Sequence, residues 1–355
     1  MACDFSKEGL GMNILVTGAN GFVGQELIGR LVKSGHHVTA LVRNKKINKS
    51  KHDSVKWIEG DLLKPEKLPK LHDIDKAYYL VHGLKGEERH FEYEESSAAV
   101  NFINWVRPTN CGIIYLGALG PGIENLSPHL RSRHLTGAIL GASGLPMIEF
   151  RASIIVGEGS LSFEMIKAMS ERFPFRPEMT ILGQPCQPLA LEDLLQYLEA
   201  ALDLPDEGHK IFEVGGPDVT TYGELLDLYI ELAGLKRKKI KLPEVEVKVL
   251  MKALDYSIPE YSQIGKKLTE SLEHPTVVTN DLAKKVFPDI KLTNLRQAME
   301  KARSESKTHY APLWEKDFLR LLLSDKILTQ SGLLSPDLLR NLEKVGKLRD
   351  IFSRK

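Results

Sequence analysis

Three glycines, Gly18, Gly21 and Gly24, punctuate the segment TGANGFVG at three-residue intervals, and a second segment, SPHLRSRH at 127–134, places two histidines and two arginines within six positions. The first pattern has the chemistry of an anion cradle. Gly18 permits a tight turn, Gly21 lets the backbone approach phosphate oxygens, and Gly24 allows a helix to touch a strand, while the helix N-terminus offers unpaired N–H groups and a positive dipole end. Thr17, Asn20, Phe22 and Val23 complete the loop. With a strand before it and a helix after it, the ligand such a loop takes is the pyrophosphate of a dinucleotide. SPHLRSRH is open to three readings, because His and Arg serve proton transfer, anion binding and solvated helix faces alike. Helical spacing aligns His129 with Arg133 at i and i+4, whereas Arg131 and His134 point to other faces.

The segment after the second expected strand, ALVRNKK, selects among dinucleotides. Val42 stands where an acid would hold ribose hydroxyls, and Arg43, followed by Lys45 and Lys46, suits a 2′-phosphate through charge-assisted hydrogen bonds. The expectation is NADP(H) in preference to NAD(H), against the alternative that Arg43 faces only solvent. After the third strand, EGDLL sets Asp61 and Leu62 where a carboxylate and an apolar wall would meet an adenine. Asp61 equally suits a helix cap. Tyr115, Tyr78 and Tyr79 fall within expected buried strands and are core, with at most one of the last two facing a ligand.

The elements that must position these residues alternate. Short β-branched runs at 13–17, 37–42, 55–58, 77–81, 112–117 and 147–155 are separated by longer amphipathic stretches, as in βαβ units on a parallel sheet. Phe22, Val23, Leu27, Ile28, Leu31 and Val32 recur at helical spacing, with Ser34-Gly35 as the stop. We expect residues 1–11 to form a loose extension, 12–156 a nucleotide-binding domain, and 157–310 a mixed segment that completes the sheet and forms a substrate lobe. Within the last, SFEMIKAMSERF and LALEDLLQYLEAAL are helical, FPFRPEMTILGQPCQP is an irregular link, IFEVGGPD is a strand, and Thr220 or Thr221 caps the following helix. Residues 311–355 have the pattern of amphipathic helices that pack on the body or on a second subunit, which leaves a homodimer open.

Composition excludes several classes. The 48 Lys and Arg nearly balance 47 Asp and Glu, so no overall field holds nucleic acid or an anionic membrane. Cys3, Cys111 and Cys186 are odd in number and without CxxC spacing, which argues against a disulfide framework or zinc site and fits a reducing, cytoplasmic setting. No apolar run reaches the roughly 18–20 residues that span a bilayer, and MACDFSKEGLG lacks the layout of a secretory signal.

TGANGFVG, VRN, GDL and YLGALGPG together resemble the extended and atypical short-chain dehydrogenase/reductases, in particular their NmrA-like and nucleoside-diphosphate-sugar-epimerase-like branch; SPHLRSRH, RASIIVGEGS, FEVGGPDVTTYGELL and TVVTNDLAKKVFPDI extend the likeness to about residue 302. The resemblance implies an α/β Rossmann-type doubly wound sheet in the order 3-2-1-4-5-6-7, with a smaller lobe over the strand ends. It also implies cofactor contacts at Val81, His82 and Gly83 after strand four and at Gly117 after strand five, with His82 suited either to a polar contact on the nicotinamide side or to a structural role at the strand end. Typical members carry a Ser or Thr after strand five and a Tyr-x-x-x-Lys pair on the next helix, which exchange a proton with the substrate and hold the nicotinamide ribose. This chain departs from that pattern: Gly117 and Ala118 replace the first, and His129-x-x-x-Arg133 fills the second slot. With an ordinary pKa of about 6.5, His129 could exchange a proton near neutral pH, and Arg133 could hold ribose or a substrate anion without relaying protons. Arg151 matches a position where relatives have an Arg before the substrate loop, suited to a substrate anion or to a structural ion pair. Two functions follow as alternatives: an NADP(H)-dependent oxidoreductase of unassigned small-molecule substrate, or a non-catalytic NADP(H)-binding sensor or structural subunit. Sugar-nucleotide epimerisation or dehydration is weaker, because it depends on the missing Tyr and Lys.

Overall fold

In a computed structural model of the chain, which describes residues 11–45, 53–82, 91–120, 126–241 and 272–310, seven strands line up in one sheet. They are β1 (Asn13–Thr17), β2 (His37–Val42), β3 (Lys56–Glu59), β4 (Lys76–Tyr79), β5 (Gly112–Ala118), β6 (Met147–Ala152) and β7 (His209–Val214). Their order is β3-β2-β1-β4-β5-β6-β7 and every pairing is parallel. That is the expected Rossmann-type order. The order reverses at β1, which pairs with β2 on one side and β4 on the other, so the carboxyl ends of β1 and β4 bound the crevice where such sheets bind ligands.

Apolar strands bury both sheet faces under helices. On one face Ile14, Val16 and Tyr78 pack with Leu27, Ile28 and Leu31 of α1 (Phe22–Lys33) and, as the chain continues past the other helices, with Leu194 and Leu198 of the later helix at Leu191–Ala200. On the other, Leu15, Ala77, Tyr79 and Tyr115 pack with Ala99, Phe102 and Val106 of α2 (Phe91–Val106) and Leu140 of α3 (Pro128–Gly141). Ser34 caps the end of α1 and Gly35 follows with φ +84°, the punctuation read in the sequence.

A third apolar cluster lies beyond β6. It joins Phe163, Ile166 and Met169 of α4 (Leu161–Arg172) to Leu225, Leu226 and Tyr229 of a helix at Tyr222–Leu232, and to Met299 and Ala302 of one at Leu295–Glu305. In chain order α5 is Leu191–Ala200, α6 is Tyr222–Leu232, α7 is Leu282–Val286 and α8 is Leu295–Glu305. Thr221 caps α6 in a reciprocal capping box with Glu224.

Three boundaries differ from the sequence expectation, each for a local reason. Leu80 and Val81 leave the β4 ladder where their backbone passes against Gly18. The long run 147–155 is two pieces: at Ser153 the hydroxyl meets that of Thr276 at 2.6 Å, and Ile155–Val156 then pairs with Leu189–Ala190 instead of the main sheet. The link expected to be irregular contains a strand, Phe175–Glu178, paired in parallel with Lys238–Lys241; Pro177 is tolerated because a two-stranded pair is all edge. No helix among the described residues is long and apolar enough to cross a membrane. Residues 1–10, Lys46, Gly83 and the terminal stretch 311–355 lie outside the described residues.

Phe150 on β6 ties the sheet to its cover, with ring centroids 5.7 Å from Phe212, 5.9 Å from Phe287 and 6.0 Å from Tyr197. It is wholly buried. Phe150→Ala is expected to lower unfolding free energy by about 3–5 kcal/mol, read as a fall in the urea midpoint at unchanged slope.

Candidate functional site

The glycine loop closes the end of β1 under tight steric constraint. Gly18 has φ +71°, and a Cβ placed on it would lie 2.4 Å from the Leu80 carbonyl oxygen. Gly21 N–H donates to the Gly18 carbonyl at 2.8 Å, which turns the chain into α1. A Cβ at Gly24 would lie 2.4 Å from that same Gly18 oxygen, so the helix can approach the loop this closely only at a glycine. Gly21 is the N-cap of α1, with no side chain capping the first turn and no acid in it. The turn therefore presents backbone N–H groups to the crevice with no carboxylate to repel an anion, which fits a pyrophosphate.

Around this loop the other expected contacts take distinct places. Thr17 is fully buried and its hydroxyl donates to the Tyr78 carbonyl at 3.0 Å, fastening β1 to β4. The Asn20 carbonyl accepts from the Gln25 side chain at 2.9 Å. Arg43 is exposed just past the end of β2, beyond buried Val42. Glu59 lies at the same corner, opposite Val42 in register, and accepts from the Lys45 N–H at 3.2 Å. Asp61 accepts from the Leu63 N–H at 3.0 Å, a local turn, while Leu62 is buried and its carbonyl accepts from Asn101 at 2.7 Å.

At the ends of β4 and β5 the second cluster assembles. Ser127 caps α3 by accepting from the Leu130 N–H, and Pro128 starts the helix, so His129 sits in its first turn. His129 Nε2 lies 3.0 Å from His82 Nε2, and His82 Nδ1 lies 3.1 Å from Glu95 Oε1. The Ser132 hydroxyl donates to the second oxygen of Glu95. Thus a buried carboxylate on α2, a histidine after β4 and a histidine on α3 form one hydrogen-bonded chain. Burial alone would raise the Glu95 carboxyl pKa, but the hydrogen bond from His82, the Arg133 and His82 charges and the Ser132 hydroxyl outweigh it and hold the group at about 2.

Arg133, one turn beyond His129, is buried. Its guanidinium donates to the carbonyls of Val81, at 3.2 Å, and Leu116, and lies 4.9 Å from the centre of the Tyr115 ring, whose hydroxyl donates back to the Arg133 carbonyl at 2.8 Å. Arg131 points away to an exposed pair with Glu92, and His134 is buried on another face, its pKa lowered by that burial and by the Arg151 charge. Arg151 donates to Glu149 at 2.6 Å; Glu149, almost fully buried on β6, also meets His209 at 3.1 Å. Gly117 lies beside the same carboxylate, buried in β5. Tyr78 and Tyr115 donate to backbone carbonyls and burial pushes the phenols of Tyr78, Tyr79 and Tyr115 upward, so none of the three is placed to exchange a proton at neutral pH. Among the described residues no group of three or more His, Cys, Asp or Glu side chains is arranged to hold a metal ion.

Residues 14–107 match the NAD dependent epimerase/dehydratase family. That part of the chain is similar to this family. Beyond it the chain is similar, over most of its length, to proteins of differing roles. It is 23% identical to the photosystem II assembly factor Ycf39 of Trieres chinensis over 78% of this chain and 85% of that protein. It is 25% identical to NADH dehydrogenase [ubiquinone] 1 alpha subcomplex subunit 9, mitochondrial, of Arabidopsis thaliana over 70% of this chain and 64% of that one. Among solved structures, UDP-glucose 4-epimerase of Thermotoga maritima superposes with TM-score 0.63 at 15% identity, covering 82% of this chain and 98% of the other. The last likeness is one of fold. The resemblance to atypical short-chain dehydrogenase/reductases holds, and with it the Rossmann reading of the epimerase/dehydratase region.

Glu95 and Ser132 are site neighbours that motif reading passes over. A signal for Glu95 exists: the inward stripe of α2 runs Phe91, Glu95, Ala98, Ala99, Phe102, Val106, an acid at a core position of an otherwise apolar face. Because the Glu95 pKa is depressed in the folded protein, its stabilising contribution is complete above the unfolded carboxyl pKa near 4.5 and is lost as pH falls toward about 2. The stability gap between wild type and Glu95→Gln is expected to amount to a few kcal/mol at pH 7 and to close through that window. Denaturant midpoints measured from pH 7 to pH 2 check it.

Proposed function

We propose that the protein binds NADP(H) in preference to NAD(H) and is an oxidoreductase acting on a small molecule, with His129 as its proton-transfer group. The observation that carries this reading is the adjacency of the two halves of the site: the Gly18 backbone lies against Leu80, two residues before His82, which in turn bonds His129. A phosphate cradle and a histidine pair thus flank one crevice at the switch point of the sheet. The groups that hold the dinucleotide are the loop 18–24, the N–H groups of the first turn of α1, Arg43 at the 2′-phosphate, and Asp61 and Leu62 toward the adenine.

When bound, the nicotinamide supplies hydride exchange. His129 donates or accepts the accompanying proton at the substrate oxygen, and the lobe around α4, α6 and α8 covers the strand ends and excludes water. Arg133 supports the reaction by holding α3, since its guanidinium is committed to backbone carbonyls. Arg151, paired with Glu149, is a weaker anion contact. In this reading the protein works in the cytoplasm.

A second reading, an NADP(H)-binding sensor or accessory subunit, gains from that same use of Arg133, which leaves the ribose without the cation that typical members supply. It gains also from two relatives whose names describe an assembly factor and a subunit of a complex. It predicts that NADPH alters oligomeric state or partner binding without turnover.

Titration with both cofactors tests the first element. Wild type should bind NADPH more tightly than NADH, and Arg43→Ala should weaken NADPH about 10- to 100-fold while leaving NADH nearly unchanged; tighter NADH binding by wild type would defeat the phosphate assignment. Across aldehydes, quinones and enones, His129→Ala should lower kcat by about 10²- to 10⁴-fold. Equal rates in the two proteins would remove His129 from the chemistry.

A further inference from the structure

The chain Glu95–His82–His129 has a direction built into it. An ionised carboxylate only accepts hydrogen bonds. Glu95 is held ionised, so its contact with His82 requires the hydrogen on His82 Nδ1. Neutral His82 then offers a lone pair at Nε2, and the 3.0 Å contact with His129 can be a hydrogen bond only if His129 carries its hydrogen on Nε2. Both tautomers follow from the charge of one buried acid on a different helix.

We infer that Glu95 is a positioning residue that fixes the tautomers of His82 and His129 and makes the two rings a single-proton relay. This deepens the oxidoreductase reading and rests on it for its role in turnover. A proton entering at Nδ1 of His129 makes that ring an imidazolium. Its Nε2–H hydrogen passes to Nε2 of His82, the N–H bond to His129 breaks as that to His82 forms, and the positive charge ends beside Glu95, which stays unprotonated. The reverse passage returns the proton. Uptake of a second proton is opposed, because two Nε2–H groups cannot share one contact. Among the described residues, the charged and titratable groups coupled to this cluster include Glu95 on α2, Arg133 on α3, and the phenols of Tyr79 on β4 and Tyr115 on β5. Arg133 works against a charge on the rings and Glu95 favours it.

The relay is testable without substrate or cofactor. Imidazole ¹⁵N–¹H correlation spectra of the full chain, at a pH above the titration of the pair, should show His82 as the Nδ1–H tautomer and His129 as the Nε2–H tautomer. His82 in the Nε2–H form, or His129 in the Nδ1–H form, overturns the inference without any variant. In Glu95→Gln the first proton uptake of the pair should fall by about one pH unit or more, with Glu95→Asp restoring much of it and exposed His37 unmoved as reference. No shift in a folded Glu95→Gln protein also overturns it. The outcomes separate this inference from the functional reading: correct tautomers with no turnover on any substrate class keep the relay and sink the oxidoreductase, whereas His129-dependent turnover with reversed tautomers does the opposite.

Discussion

The guanidinium of Arg133 lies almost wholly out of water, and it donates to backbone carbonyls at the ends of two adjacent strands, Val81 after β4 and Leu116 in β5, with the Tyr115 ring face close by. A permanent charge in such a place must be compensated where it stands, because burial removes its hydration. Two carbonyl dipoles, an aromatic face and the field of Glu95 do this together. The consequence is mechanical as well as electrostatic. α3 cannot shift along the sheet without breaking these contacts, so the first turn of the helix, and His129 with it, takes its position from the strand ends. His82 follows Val81 by one residue, and the two rings meet because Arg133 has already fixed the elements that carry them.

Small residues set how closely those elements approach. A Cβ on Gly18 would strike the Leu80 carbonyl, which is the same stretch of backbone that leads to His82. One turn beyond Arg133 on the same face of α3, a Cβ on Gly137 would come within 2.8 Å of the Glu149 carboxylate. The helix is therefore seated directly over a buried acid that pairs with Arg151 on β6 and meets His209 of β7. Along this face α3 is held first by a cation with carbonyl partners and, one turn on, sits against an anion paired with Arg151. Neither arrangement is available to a helix that stands off the sheet by one methyl group.

Much of the fold was legible because period and punctuation agree with tertiary burial. The apolar runs from Asn13 to Ala152, the stripe of α1 and the Ser34-Gly35 stop all describe what is buried, and the parallel order follows from their alternation with helices. The glycine loop was legible for a steric reason, since close backbone approach leaves few residue types. What escaped reading were contacts between elements distant in sequence. Nothing near His82 or His129 names Glu95 as their partner, although an acid within the apolar stripe of α2 marks that it needs one. Likewise Glu149 interrupts the apolar run MIEFRA, yet only the fold brings His209 to it. The strand at Phe175–Glu178 was missed because Pro argues against a strand, and that argument fails where the strand has one neighbour only.

Where typical members of the resembled family carry a Tyr-Lys pair this chain has His129 and Arg133, which in the proposed reading changes the part of the site that handles protons. Lys on a helix beside ribose can lower the pKa of a neighbouring phenol and pass protons; Arg stays charged at every accessible pH and does neither. Here the cation has withdrawn into the protein to bond carbonyls, and the nearby phenols are buried with raised pKa values. In the proposed oxidoreductase this leaves the imidazoles of His82 and His129, at the ends of β4 and β5, as the proton carriers. A buried cation disfavours a further positive charge beside it, and the Glu95 carboxylate within hydrogen-bonding distance of His82 offsets this. Glu95, His82 and Arg133 are thus not independent substitutions on a standard scaffold. Moving the cation inward creates the need for the acid, and the acid gives the histidine pair its order.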